Sequence, residues 1–255
     1  MLTAIVGINW GDEGKGRMVD LLSSDYDIVC RYQGGNNAGH TVVNEKGKFI
    51  LNLLPSGILR DEVTNVMGPG MVIDVQHLYN EIGKLRDAGI EITPKHLKIS
   101  DRATICMPYH VLLDGLEEDR LSDKKFGSTR RGIAPVYADK YMKKTLRMGD
   151  LLHPEALKER IADIVEWKNL TVAGGYHHAP ISADEMYQWI EKYAMPFVPY
   201  ICVTTTFLNQ CEKKGKKIMF EAQLGALRDI DYGIFPYTSS SSTIAAYADR
   251  KSTRL

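Results

Sequence analysis

Cysteine is scarce and scattered, with four in 255 residues, Cys30, Cys106, Cys202 and Cys211, and no CxxC pair. That argues against a disulfide-built fold and against a thiolate metal site, so these read as reduced, mostly structural thiols. Net charge is also missing, because 32 Lys plus Arg balance 32 Asp plus Glu. A neutral chain has no general field that would gather nucleic acid or an anionic membrane surface. No apolar run reaches membrane length and no basic segment leads into one. Neither a membrane span nor a secretory leader is expected, and the cytoplasm is the expected compartment. Internal repeats and an interdomain linker are absent too.

What is present is an ordinary globular composition, 44% apolar and 25% charged, with enough chain for one large domain or two small ones. Thr3–Ile8 is a short apolar run ending at a glycine-rich loop, the pattern of a buried parallel strand, and Arg17–Leu22 continues as a helix. Tyr26–Tyr32 reads as a second strand. Thr41–Val43 and Phe49–Leu54 flank the hairpin signal Glu45-Lys46-Gly47. Asn65–Met67 suggests a short strand before Gly68-Pro69-Gly70, and Asp74 caps a helix through Arg86 that Gly89 stops. Leu97–Ser100 and Lys217–Glu221 read as strands, Pro154–Trp167 and Ala183–Tyr193 as helices. The alternation predicts an α/β fold, a mostly parallel central sheet flanked by helices with a phosphate-binding loop after the first strand.

Two loops carry the chemistry. In GINWGDEGKG, glycines 11, 14 and 16 let backbone N–H groups approach an anion, the next helix adds its positive end, and Lys15 adds a point charge. A standard phosphate loop follows its Gly-Lys pair with Ser or Thr for magnesium; here Gly16 follows, and Asp12 and Glu13 sit inside the loop. A carboxylate belongs beside a phosphate either as a Mg²⁺ ligand or as a base that prepares a nucleophile, and Asp12 suits either role. The second loop, QGGNNAGH, ends in His40, which either stabilises charge on a transferring phosphoryl group or anchors its loop. It shares the first loop's end of the sheet if Tyr26–Tyr32 neighbours the first strand. KKFGSTRR, Lys124–Arg131, is a nucleotide-phosphate site or a solvated basic loop, and PYTSSSS is a hydroxyl-rich binding loop or a linker. His177-His178 reads as surface loop, since adjacent residues seldom converge on one metal ion.

Taken together, WGDEGKG (Trp10–Gly16), RYQGGNNAGHT (Arg31–Thr41), LPSGIL (Leu54–Leu59), GIAPVYADKY (Gly132–Tyr141) and DIDYGIFPYTSSS (Asp229–Ser241) resemble the adenylosuccinate synthetase family. The resemblance implies a GTP-dependent ligase of purine nucleotide biosynthesis. It joins inosine monophosphate (IMP) to L-aspartate through a 6-phosphoryl-IMP intermediate, giving adenylosuccinate, GDP and phosphate. It implies Asp12 as base and His40 as acid, and Mg²⁺ held by Asp12 and the Gly39 carbonyl. GTP would contact Gly11, Asp12, Glu13, Gly14, Lys15, Gly16, Arg17, Gly39, His40 and Thr41. IMP would contact Asp12, Glu13, Gly14, Lys15, Asn37, Ala38, Gly39, His40, Thr129, Lys143, Gln223 and Ser239. A homodimer is implied, with Lys124–Lys144 near the subunit boundary.

Several positions depart from the family pattern. Asn9 replaces a usual glutamine, and Lys143 stands for an arginine, keeping charge but losing the bidentate fork. Ser239 stands for a threonine, and FEAQLGAL replaces the frequent FEGAQGTL, so the IMP contact of Gln223 depends on a one-residue choice of register. The family's aspartate-binding arginine loop and guanine-recognition motif lie beyond this chain. The expectation is therefore an incomplete amino-terminal unit over 1–248. The final Asp249–Leu255, DRKSTRL, matches one frame of a widely used sequencing adapter, GATCGGAAGAGCACACGTCTG, and is expected to be non-native and exposed. The alternatives are another phosphate-loop NTPase, in which Asp12 serves only magnesium, and a non-catalytic nucleotide-binding fragment.

Overall fold

The computed structural model describes residues 1–44, 47–125 and 127–249. Glu45 and Lys46 of the expected hairpin turn, Phe126 of the basic loop, and Arg250–Leu255 of the expected adapter tail lie outside the described residues. In chain order the elements are β1 (Leu2–Gly7), α1 (Lys15–Ser23), β2 (Ile28–Gly34), β3 (His40–Asn44), β4 (Gly47–Leu51), β5 (Thr64–Ile73) and α2 (Val75–Asp87). Then come β6 (Leu97–Ser100), β7 (Thr104–Ile105), α3 (Pro108–Leu121), α4 (Ile133–Met142), α5 (Pro154–Asn169) and α6 (Ala183–Tyr193). The series ends with β8 (Ile201–Cys202), α7 (Thr204–Lys213), β9 (Ile218–Gly225) and the short α8 (Ala246–Ala248).

The central sheet runs β1-β9-β2-β5-β6-β8, with β7 paired to β5, and every pairing in it is parallel. β3 and β4 form a separate antiparallel hairpin. The mostly parallel α/β architecture read from the sequence is the one observed. β1 and β2 are not neighbours, however, because β9 from late in the chain lies between them. Its IMFEAQLG run is buried along nearly its whole length, so it belongs to the sheet interior, while β1 is half-exposed and sits at the edge.

Strand alternation explains how the sheet is covered. Ile28, Cys30, Ile218, Phe220 and Ala222 pack with Leu208 of α7. Their alternates Val29 and Met219 pack with Val19 of α1 and Val63. Continuing along the α1 face, β2 presents Arg31 and Gln33, and β9 presents Glu221 and Gln223, all at most 1% exposed. This face thus changes from apolar to polar toward the carboxyl ends of the strands, where a polar ligand would be received.

One further sequence reading is corrected, and three helices it left unassigned are present. The strand placed at Asn65–Met67 continues through Gly68-Pro69-Gly70 to Ile73. A register shift against β2 between Arg31 and Gln33 absorbs the proline, which has no N–H to give to the ladder. Gly70 is required there, since a Cβ would lie 2.2 Å from the Tyr32 carbonyl oxygen. Helices α3, α4 and α7 have no clear signature in the sequence, because each carries a local anti-helix signal: Gly115 in α3, Pro135 in α4 and the TTT run that opens α7. The Asp74 cap is present, its carboxylate accepting from His77 N–H at 2.9 Å. None of the four cysteines is in a disulfide among the described residues. Among the described residues no helix is long and apolar enough to cross a membrane.

Candidate functional site

The loop after β1 is built for close approach to an anion. Gly11 and Asp12 take left-handed backbone at φ 113° and 59°, and Gly14, at φ 85°, precedes the first turn of α1. A Cβ at Gly11 would lie 3.1 Å from Leu224 Cα, so glycine there lets the β1 and β9 loops touch. The turn ends at Lys15, whose N–H group opens a helix terminus that favours negative charge.

A cavity of about 170 Å³ sits against this loop. Asp12, Gly14, Lys15, Gly16 and Arg17 line it from the β1 side. Ala38, Gly39, His40 and Thr41 close it from the segment after β2, and Leu224 enters from the end of β9. Asp12 and His40 therefore face one cavity, although their strands are not adjacent.

Each charged group here has a defined setting. Lys15 is buried, with Nζ 3.0 Å from Glu13 Oε2, while Glu13 Oε1 accepts from Asn9 N–H at 2.8 Å. Desolvation pushes the Glu13 carboxyl upward, but the hydrogen bonds from Lys15 and Asn9 outweigh it and hold it below the usual range. Asp12 is exposed, and its carboxylate makes no hydrogen bond or ion pair among the described residues. Nδ1 of His40 lies 2.9 Å from Oε1 of Glu221. Glu221 also receives Ser56 N–H at 2.8 Å and Ser56 Oγ–H at 2.7 Å. Burial drives the Glu221 carboxyl upward, yet His40, Arg31 and Ser56 together hold it below its ordinary value.

The missing Ser/Thr of the phosphate loop has a steric explanation. A Cβ at position 16 would lie 2.6 Å from His40 Cβ, so His40 takes the space that a hydroxyl residue occupies in a standard loop. Behind His40, Glu81 gathers the N–H groups of Asn52, Leu53 and Leu54. Asn52 in turn donates to the Ala38 carbonyl at 3.3 Å, tying the loop to α2.

Not every expected contact residue reaches the cavity. Gly11 and Glu13 stand behind its wall, and Asn37 Oδ1 accepts from Gly35 N–H at 3.3 Å. The Gln223 amide is buried and committed to Gly35, accepting its N–H at 3.0 Å and donating to its carbonyl at 3.1 Å. The residue that β9 delivers to the cavity is Leu224, held at φ 63°. Thr129 is exposed in a loop anchored on α3, where Asp114 accepts from Ser128 Oγ and Gly132 N–H at 2.6 and 2.8 Å. Lys143 ends α4 with its side chain in solvent, and Ser239 is half-buried with its N–H on the Arg228 carbonyl. Sequence reasoning passed over Glu221, Ser56 and Leu224. The signal for Glu221 was present, a charged residue inside the apolar run KIMFE.

For Mg²⁺ the donor chemistry fits: the free Asp12 carboxylate and the Gly39 carbonyl are hard oxygen donors on one cavity. Among the described residues no three His, Cys, Asp or Glu side chains converge to hold a metal. That suits an ion completed by substrate phosphates and water rather than a protein cage.

A parallel sheet with a glycine-rich loop and a helix N-terminus at its carboxyl end defines an α/β protein of the phosphate-loop kind. The adenylosuccinate synthetase family model matches residues 4–253. Adenylosuccinate synthetase 2 of Pseudoalteromonas translucida is 48% identical over 246 residues, 96% of this chain and 58% of the relative. Adenylosuccinate synthetase of Dehalococcoides mccartyi is 45% identical over 245 residues, 96% and 57% of the two chains. The fully ligated adenylosuccinate synthetase from Plasmodium falciparum superposes with a TM-score of 0.88 at 32% identity, covering 97% of this chain and 57% of that one. The cyanophage S-2L succinoaminodeoxyadenylate synthetase bound to dGMP and dATP shares the fold, with a TM-score of 0.67 at 19% identity over 98% and 59% of the two chains. The chain belongs to the adenylosuccinate synthetase family. It spans about 57% of the length of these relatives.

Proposed function

We propose that this chain carries the phosphoryl-transfer half of an enzyme that joins IMP to L-aspartate at the expense of GTP. Asp12 takes the N1 proton of IMP, and the 6-oxygen attacks the γ-phosphorus of GTP, releasing GDP. The amino group of aspartate then displaces phosphate from the 6-phosphoryl intermediate. His40 donates to an oxygen of the group in transfer, Lys15 and the loop amides hold phosphate, and Arg17 and Thr41 complete the GTP wall. Mg²⁺ held by Asp12 and the Gly39 carbonyl would neutralise phosphate charge. Thr129, Ser239 and Gln223 stand outside the described cavity, so IMP contacts from them require closure around the nucleotide, while Lys143 is offered to the nucleotide of the partner subunit. The protein would act as a cytoplasmic homodimer.

The observation that supports this reading is that Asp12, Lys15 and His40 line one cavity. The other phosphate-loop reading uses the same lysine and helix terminus but gives His40 no role. The test is IMP-dependent GTP turnover in the protein extended to the length of its relatives. Asp12→Asn should abolish turnover and leave nucleotide binding largely intact. Turnover that ignores IMP, or survives Asp12→Asn, would overturn the assignment.

A further inference from the structure

We infer that Glu221, braced by Ser56, is a positioning residue that fixes the His40 ring: its carboxylate accepts the Nδ1–H and turns Nε2 toward the cavity, the nitrogen that donates to a phosphoryl oxygen once it has taken up a proton and the ring is an imidazolium. The assignment deepens the proposed role of His40 and rests on that reading for its catalytic meaning. Its geometry stands independently.

Glu221 is 0% exposed and faces three polar atoms: His40 Nδ1 at 2.9 Å, Ser56 N–H at 2.8 Å and Ser56 Oγ at 2.7 Å. The backbone N–H can only donate. A carboxylate encircled by donors acts as acceptor throughout, so Nδ1 must carry its hydrogen. The free imidazole in water favours the other tautomer, with the proton on Nε2, and Glu221 reverses that preference. Among the described residues Nε2 has no hydrogen-bond partner. The ring is also wedged, since any Cβ on Gly16 would fall 2.9 Å from His40 Cγ. Tautomer and orientation are therefore set together before a ligand arrives.

A buried carboxylate is costly to keep for packing alone. Glu221 keeps its charge beside Arg31, its register partner on β2, which is itself fully buried and raised in cost by desolvation. Ser56 is equally buried, and it opens the turn Ser56–Leu59 that follows Leu54-Pro55. The LPSGIL segment thus acquires a physical purpose. It places Ser56 against both Glu221 oxygens, its hydroxyl on the Oε1 that meets His40 and its N–H on Oε2, so that the carboxylate is held in place.

The test uses this chain and long-range ¹H–¹⁵N NMR of its histidine side chains, at a pH where the rings are neutral. The His40 signals are identified by their loss in His40→Gln. The parent should show the Nδ1–H form for His40. Folded Glu221→Gln, whose amide offers one acceptor where two are needed, should move His40 to the Nε2–H form or a mixture, and Ser56→Ala should move it partway. An Nε2–H form in the parent, or an unchanged Nδ1–H form in folded Glu221→Gln, would overturn the inference. If Glu221→Gln does not fold, the parent and Ser56→Ala decide the matter. None of these signals depends on turnover, so loss of the functional reading and loss of this one remain distinguishable.

Discussion

Lys15 and Glu13 are paired inside the same glycine loop, Nζ to Oε2 at 3.0 Å, with the lysine only 5% and the glutamate 29% exposed in their side chains. The cation proposed to hold phosphate is thus paired with a carboxylate of its own loop.

An incoming anion must displace Glu13 from Lys15. Glu13→Gln should therefore tighten the binding of pyrophosphate, read by titration calorimetry, by roughly five-fold, the size of about 1 kcal/mol for a partly exposed ion pair. Unchanged or weaker binding would show that Glu13 helps to hold the anion.

Gly70→Ala should destabilise the fold by roughly 3 kcal/mol or more in urea unfolding. The new Cβ would press to 2.2 Å from the Tyr32 carbonyl oxygen across the β2–β5 bulge, and backbone cannot retreat as a side chain would. A loss under about 1 kcal/mol would mean that the bulge yields.

Asp229 is buried and receives N–H from Asp231, Tyr232 and Thr243 and Oγ–H from Ser242. Burial acts to raise its pKa, but these donors hold it below 3.8. A depressed carboxyl contributes stability that is present above its unfolded value and lost as pH falls through the folded one. Asp229→Asn should cost about 2 kcal/mol at neutral pH. The gap from the parent should narrow below pH 3.8 in urea midpoints taken across the acid range. A pH-independent gap would mean that lost packing, rather than ionisation, sets the cost.

Leu224 holds φ 63°, a left-handed backbone that suits glycine. Leu224→Gly should relieve about 1 kcal/mol of strain, offset in part by the loss of a half-buried side chain, and should widen the cavity. A thermal midpoint equal to or above the parent's is expected. A clear fall would show that the leucine's packing outweighs its strain.

Much of the fold was legible in the sequence because strand alternation and caps are local. β6 and α6 fall on their expected bounds, and the Asp74 cap forms with its own helix. The cavity was legible for the same reason, since Asp12 to Arg17 and Ala38 to Thr41 lie in two compact glycine-rich stretches. What stayed hidden depends on distant partners. That β9 divides β1 from β2 is settled by which strand is buried on both faces, and no window of sequence shows it. Likewise, whether Gln223 or Leu224 reaches the cavity turns on Gly35, which claims the amide of Gln223 through the backbone.

The insertion of β9 between β1 and β2 has a consequence for synthesis on the ribosome. β1 and β2 emerge early, yet the strand that joins them is made only after the long segment between Gly34 and Ile218. At about 5–20 residues per second that interval lasts roughly 10 to 40 s. Throughout it the nascent chain carries two facing strand edges with unpaired N–H and C=O groups, the template on which strands of other chains add. Assembly of the cavity is therefore a late, long-range closure, and chaperone demand should peak before β9 leaves the exit tunnel.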